Sequence, residues 1–377
     1  MNVTSNNIST INDTDTKKDT GCKKQQRAIP FSLGLLCIIT LIALASGAVP
    51  IAISDIFSSL LHSTGSALVD SSALPSPTLH SPSLNWIVLF DIRLPRVVLS
   101  IFVGAALGVC GAAMQALFRN PLADPGLIGV AGGGALGAVM VIVLGNSLFS
   151  QFTQTIGIYA LPLGAMLGCL GVCGIIYRIS NSQGQLTIMT LLLAGIAVNA
   201  IVGAAIGVLT LVSDDSELRE LTFWTMGNLG GNHWALAFPV LICIGISLFG
   251  ILRLARPLNI YLLGESQAQH LGIRITTLKK HVFFFTALAV GAAVSISGMI
   301  GFIGFVVPHL VRLLIGPDHR FLLPTSMLFG ASLLTLADII ARVAIVPAEL
   351  PIGLITSAIG GPFFLAVLYK QAIRLGK

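Results

Sequence analysis

Apolar runs of about 20 residues, separated by short polar breaks, recur from residue 29 almost to the end of the chain. That length is what a helix needs to cross a bilayer. The pattern predicts about ten spans. They fall near residues 29–49, 95–118, 127–145, 157–177, 186–211, 233–252, 281–298, 302–315, 322–341 and 352–370. Residues 1–28 are rich in Asn, Thr, Asp and Lys and read as a disordered tail. Lys23, Lys24 and Arg27 precede the first span and place the N-terminus in the cytoplasm. No cleavage signal follows a short apolar core, so 29–49 reads as a retained span. The even count puts the C-terminal tail, 371–377, on the same side. Residues 50–90 read as an extended loop outside, 213–220 as a charged outside loop, and 253–280 as the longest inside polar segment.

Composition agrees. Of 377 residues, 55% are hydrophobic and 10% charged, and mean hydropathy is +0.92. A soluble domain carries about 25% charge. The formal charge of +6 comes from residues flanking apolar runs, so it orients the chain and does not indicate nucleic acid. The single domain is therefore an all-α polytopic bundle, residues 29–370. Cys169 and Cys173 lie four apart on one helix face and read as packing; neither disulfide nor metal is inferred.

Small residues four apart (Gly104/Gly108, Gly133/Gly137, Gly164/Gly168, Gly203/Gly207) predict close helix approach. "VGAALGVCG" (103–111) recurs as "VGAAVSISG" (290–298) on a span of opposite direction. Opposed copies suggest an inverted repeat of spans two to five and seven to ten, common among transporters.

Three arginines break the positive-inside pattern. Arg93, Arg96 and Arg342 fall at the outer ends of spans two and nine. Spacing leaves three uses open: docking an acidic partner, attracting an anionic solute, or snorkelling to lipid phosphate. Asp338 lies four residues before Arg342, where the pair can neutralise itself. His309 and Arg312 read as structural. The chain has no P-loop, H-E-x-x-H or G-x-S-x-G motif, so no catalytic residue, cofactor site or metal site is assigned and an enzyme is not expected.

Three stretches carry a resemblance: "DIRLPRVVLSIFVGAALGVCGAAMQALFRNPLADPGLIGV" (91–130), "GFIGFVVPHLVRLLIGPDHRFLLP" (301–324) and "ADIIARVAIVPAELPIGLITSAIGGPFF" (337–364). They resemble, in order, the permease subunit of bacterial ABC importers for iron–siderophore complexes, haem and cobalamin, the FecCD/BtuC-like family. The likeness spans about residues 30–370. It implies a type II importer bundle of ten helices in the inner membrane, working as a homodimer. Two ATPase subunits would use the ATP below it, and a periplasmic haem- or siderophore-binding protein would deliver solute from above.

The resemblance also assigns residues. Arg93, Arg96 and Arg342 match arginines that dock the binding protein. "RPLNIYLLGESQAQHLGIR" (256–274) matches the ATPase-coupling element. There Leu262, Leu263, Ala268 and Leu271 are expected to bury into the ATPase, with Glu265 and Gln269 at the polar contact and Gly264 and Gly272 framing a short helix. "TLLLAGIAVNAIVGAAIGVLTLVSDDSELRELTFWTMGNLGG" (190–231) looks most like the haem-uptake branch. A ferric siderophore or cobalamin remains the alternative. A secondary transporter would share the spans but would not need the 256–274 element.

Overall fold

The computed structural model describes residues 5–47, 84–145, 147–182, 185–345 and 348–375. Most of the 50–90 loop lies outside these residues. The helices used below are α1 (Ser5–Ala45), α2 (Val88–Leu117), α3 (Val130–Leu144), α4 (Ala160–Ser180), α5 (Ile188–Val212), α6 (Asp215–Thr225) and α7 (Trp234–Arg253). They continue with α8 (Ala255–Tyr261), α9 (Glu265–His270), α10 (Ile275–Ser297), α11 (Ile303–Ile315), α12 (His319–Val343) and α13 (Ile352–Leu375). Among the described residues eight helices are long and apolar enough to span a membrane. Two shorter apolar helices, α3 and α11, fill the remaining span positions.

Burial divides the spans by role. In α2, 83% of the most apolar window is inside the protein, and in α10 it is 72%. For α1, α5, α7 and α13 the share is between 17% and 28%. The two deepest helices are those carrying the repeated Gly/Ala motif. They need small residues because neighbours press on every side, whereas the outer helices leave large apolar side chains exposed.

The repeat extends to packing. α2 packs on α12 and α11, while α10 packs on α4 and α3. Within each unit, α3 packs on α4 and α11 on α12. The second helix is the short one in both units, with 15 residues in α3 and 13 in α11. α2 and α10 run in opposite senses, so the four-helix units are inverted copies.

Glycine sets the approach distance at the α2–α12 seam. A Cβ on Gly104 would strike the Gly330 carbonyl, and one on Gly330 would strike that of Gly104. Gly108 presses on Ser326 in the same way, and Gly133 and Gly137 meet Gly168 and Gly164. Gly203 and Gly207 have no neighbour within 4 Å of such a Cβ. That pair does not contribute to packing within this chain.

Several sequence expectations change. Residues 5–28, read as disordered, continue α1 without a break. Once the apolar part of the helix is formed, adding a polar residue requires no new nucleation. The 213–220 loop is largely helix. Asp214 Oδ1 accepts from the Glu217 backbone N–H at 2.8 Å, and the Asp214 N–H donates to the Glu217 carboxylate at 3.1 Å. This is a capping box that starts α6. Helix α10 begins at Ile275, six residues before the expected span, and so takes Lys279 and Lys280 out of the polar segment. The C-terminal helix runs to Leu375, through most of the expected tail. Residues 295–315 hold two separate helices, turned at Gly298, whose φ of 66° suits glycine.

Candidate functional site: two charged ends of one bundle

The arginines at 93, 96 and 342 meet at one end of the bundle, and all three are buried. α2 opens with a π-helical turn over Val88–Arg93, immediately before Leu94-Pro95. Pro95 has no N–H to continue the α-helical ladder. Arg96 Nε donates to Asp338 Oδ1 at 2.8 Å, and its Nη1 donates to both Glu349 oxygens at 2.9 Å. Arg342 Nε lies 3.1 Å from Asp338 Oδ2, the i,i+4 pair legible in the sequence. Arg93 donates to the carbonyls of Leu44 and Ala45 at 2.8 and 3.2 Å. Arg342 reaches those of Ala43 and Ser46 at 3.2 and 3.5 Å.

Electrostatics explain the cluster. Three guanidiniums share two carboxylates and the C-terminal end of α1. The last carbonyls of a helix have no intrahelical partner and carry partial negative charge, so Arg93 and Arg342 cap that helix from outside it. The cluster ties α1, α2, α12 and the turn before α13 together. The three guanidiniums are turned inward onto internal partners. Glu349, with its side chain 43% exposed, is the part of this network that faces outward. Its role was absent from the sequence reading. The acid is 253 residues from its arginine, and no local spacing relates them.

The 256–274 segment lies at the opposite end. It forms two short helices, α8 and α9, separated by Leu262, Leu263 and Gly264. Gly264, with φ 126°, and Gly272, with φ 83°, flank α9 as expected. Leu262, Leu263 and Leu271 are exposed, Leu263 and Leu271 by 59% and 60%. Gln269 is exposed as well. One expectation fails here. Ala268 is fully buried in the main apolar core of this chain, and so it is not on the outward surface. Glu265 keeps its side chain 43% exposed while it is tied to the bundle: its carboxylate lies 2.9 Å from Lys279 Nζ and accepts from the Tyr261 hydroxyl at 3.0 Å. Burial works against its charge, but the bonds from Lys279 and Tyr261 outweigh it and hold the carboxyl below the ordinary glutamate range.

A second latch holds α8. Asn259 Nδ2 donates to Asp318 Oδ1 at 2.6 Å, while its Oδ1 accepts from the His319 backbone N–H at 2.8 Å. Asp318 also caps α12, accepting from the Arg320 N–H at 3.0 Å, and pairs with the Arg320 guanidinium at 2.9 Å. Partial burial pushes Asp318 up. The Arg320 and Asn259 hydrogen bonds outweigh it and hold the carboxyl at about 2.

An inverted repeat of membrane-length helices is an architecture common among transporters. The model of the FecCD transport family matches residues 35–370, and the chain belongs to that family. It is thus a multi-pass permease of ABC importers. Family membership brings ATPase and substrate-binding partners and a dimeric permease.

Among curated proteins the chain is 45% identical over 311 residues to the hemin transport system permease protein HmuU of Yersinia pestis, covering 81% of this chain and 91% of that one. It is 39% identical over 296 residues to the cobalamin import system permease protein BtuC of Halobacterium salinarum, covering 78% and 76%. It is 41% identical over 282 residues to the vitamin B12 import system permease protein BtuC of Escherichia coli, covering 75% and 83%. A solved structure described as an inward-facing conformation of a metal-chelate type ABC transporter superposes with a TM-score of 0.75 at 30% identity, covering 92% of this chain and 99% of that one.

Proposed function

We propose that this permease carries haem across the bacterial inner membrane, from a periplasmic binding protein to the cytoplasm, by ATP-driven alternating access in a homodimer. The observation that carries the choice of haem is the 45% identity to a hemin permease across 81% of the chain. A ferric siderophore or cobalamin is the alternative reading, supported by the cobalamin and vitamin B12 permeases at 39% and 41% identity.

In this reading the chain itself binds no cofactor and hydrolyses no ATP. The exposed Leu262, Leu263 and Leu271 meet the ATPase, with Gln269 beside them. The Arg93–Arg96–Arg342 end receives the binding protein. Their internal pairing suggests that they shape and charge the docking surface from beneath, with Glu349 and its turn at the front. Both termini are cytoplasmic, as Lys23, Lys24 and Arg27 ahead of the apolar part of α1 suggest.

The test is uptake into proteoliposomes holding the permease, its ATPase and its binding protein. Haem, a ferric siderophore and cobalamin compete for the binding protein and then for ATP-dependent entry. Haem is expected to enter, with vanadate sensitivity and no need for an ion gradient. ATP-dependent entry of cobalamin or ferric siderophore without haem would overturn the choice of solute. Entry that collapses with the ion gradient but survives vanadate would overturn the importer mechanism.

A further inference from the structure

The C-terminus of α2 ends in an unusual way. The Asn120 N–H donates to the Gln115 carbonyl at 3.1 Å, and the Arg119 N–H to that of Ala116 at 3.2 Å. These two bonds make a Schellman motif, whose left-handed residue is normally glycine. Here it is Arg119, with φ 49°. A side chain in that conformation is unfavourable, so its presence calls for a use.

The side chain has one. Arg119 Nη2 donates to the Tyr261 carbonyl at 2.8 Å, and its guanidinium stacks 4.4 Å from the centre of the Tyr261 ring. Tyr261 is fully buried at the end of α8. Its hydroxyl donates to Glu265, and Glu265 pairs with Lys279. Lys279, itself buried, also donates to the Leu186 carbonyl at 3.2 Å. Leu186 ends the two-stranded hairpin of Asn181–Ser182 and Gln185–Leu186, one residue before the N-cap of α5. Four side chains thus form one continuous chain of contacts. It runs from the inner end of α2, through both coupling helices, to the entry of α5.

What lies beyond Leu186 gives the contact a mechanical meaning. α5 is a single helix of 25 residues, about 37 Å long at 1.5 Å per residue. Only 28% of its most apolar window is inside this chain, so most of its surface is left to lipid or to the second permease of the dimer. At its far end Ser213 and Asp214 alone separate it from α6, and Asp214 is held by the capping box. α6 lines a cavity of about 530 Å³ with Ser216, Arg219, Glu220 and Trp224. A rigid shift of α5 set at Leu186 would therefore move the wall of that cavity.

We infer that Arg119, Tyr261, Glu265 and Lys279 form a joint that transmits movement of the 256–274 segment to α5, with Lys279 as the link to the α5 entry. These are positioning residues, because each side chain is engaged by another group of this chain. The inference rests on the reading that the exposed leucines of this segment meet the ATPase.

The experiment uses the complete transporter in proteoliposomes. ATPase binding to the permease and solute moved per ATP hydrolysed are measured separately. Lys279→Met and Arg119→Gly are expected to bind the ATPase normally and to lower solute moved per ATP about tenfold, within the usual range of coupling energies. Lys279→Arg is expected to restore most of the ratio, because it keeps the charge and the donor. Arg119→Gly suits the left-handed backbone, so it isolates the side chain and serves if Lys279→Met fails to assemble. An unchanged ratio in Arg119→Gly, with the ATPase bound, would overturn the joint. Leu263→Asp is the separate arm and is expected to abolish ATPase binding. If ATPase binding survives Leu263→Asp, the docking reading falls and takes the joint with it. If Leu263→Asp abolishes binding while Arg119→Gly leaves the ratio unchanged, only the joint falls.

Discussion

The two ends of this bundle use charge differently. At the α1–α2–α12 end, Arg93, Arg96 and Arg342 are buried on Asp338, Glu349 and the carbonyls closing α1. Their ion pairs join spans directly. At the other end Lys279 is buried but Glu265 stays 43% exposed, and apolar side chains reach the surface beside polar ones such as Gln269. Glu265 and Lys279 orient a segment that presents Leu262, Leu263 and Leu271. The first end is built to stay together, and the second leaves apolar side chains open. The physical difference is solvent. Buried ions must keep every partner or suffer a large desolvation penalty, whereas exposed leucines lose little by waiting for a partner.

The most severe way to break the comparison is at Asp338, fully buried between two arginines. Asp338→Ala is expected to destabilise the fold by about 3–5 kcal/mol, because it strands buried positive charge. Thermal unfolding in detergent measures it. Glu349→Gln at the same cluster is expected to cost under about 1 kcal/mol, since that carboxylate is partly solvated. Equal losses for the two would show that the cluster is not divided into a buried and an exposed half.

Next in size is the seam that supports the arginine end. Gly330→Val puts a side chain into the Gly104 carbonyl and is expected to cost about 1–3 kcal/mol. Gly203→Val, with open space at its Cβ position, is expected to leave the unfolding midpoint of the isolated permease unchanged. A loss there would place Gly203 in an interface with another chain.

At the 256–274 end, the proposed ATPase docking predicts that Leu263→Asp changes stability by less than about 0.5 kcal/mol while removing ATP-driven uptake. Unfolding and uptake assays on one preparation separate the effects. A variant that unfolds would show that Leu263 is a packing residue.

The smallest expected effect is a pH dependence. Asp318 is held at about 2 in the folded protein, below the ordinary aspartate value of about 3.9. A lowered carboxyl stabilises the fold above its unfolded value, and the contribution is lost as pH falls through the folded one. The Asp318 latch to Asn259 is therefore expected to persist at pH 4 and to weaken only toward pH 2. Comparing the acid unfolding of Asp318→Asn with the parent isolates it. Identical profiles over this interval would remove the latch from the account.

Several features were legible because they are local. The spans follow from apolar run length, and the Asp338–Arg342 pair from helical spacing on one face. The short helix between Gly264 and Gly272 was expected from the family resemblance, and the structure gives both glycines positive φ. Other features were misread because the deciding partner is remote. Ala268 resembled the neighbouring leucines, but it is packed into the core. The pairing of Glu265 with Lys279, 14 residues on, was likewise not read. The capping box at Asp214 and Glu217 was present in the sequence, but the charges around it resembled a loop.

The sequence alone determined that this is a membrane bundle of about ten spans, that the bundle contains opposed copies, and which family it joins. Run length, motif order and small-residue spacing are properties of the chain itself. Tertiary structure decided which charges face inward. Arg96 and Asp338 lie 242 residues apart, and Lys279 and Leu186 lie 93 apart. A helix specifies neighbours three or four residues away, but which residues meet between helices depends on how their surfaces pack.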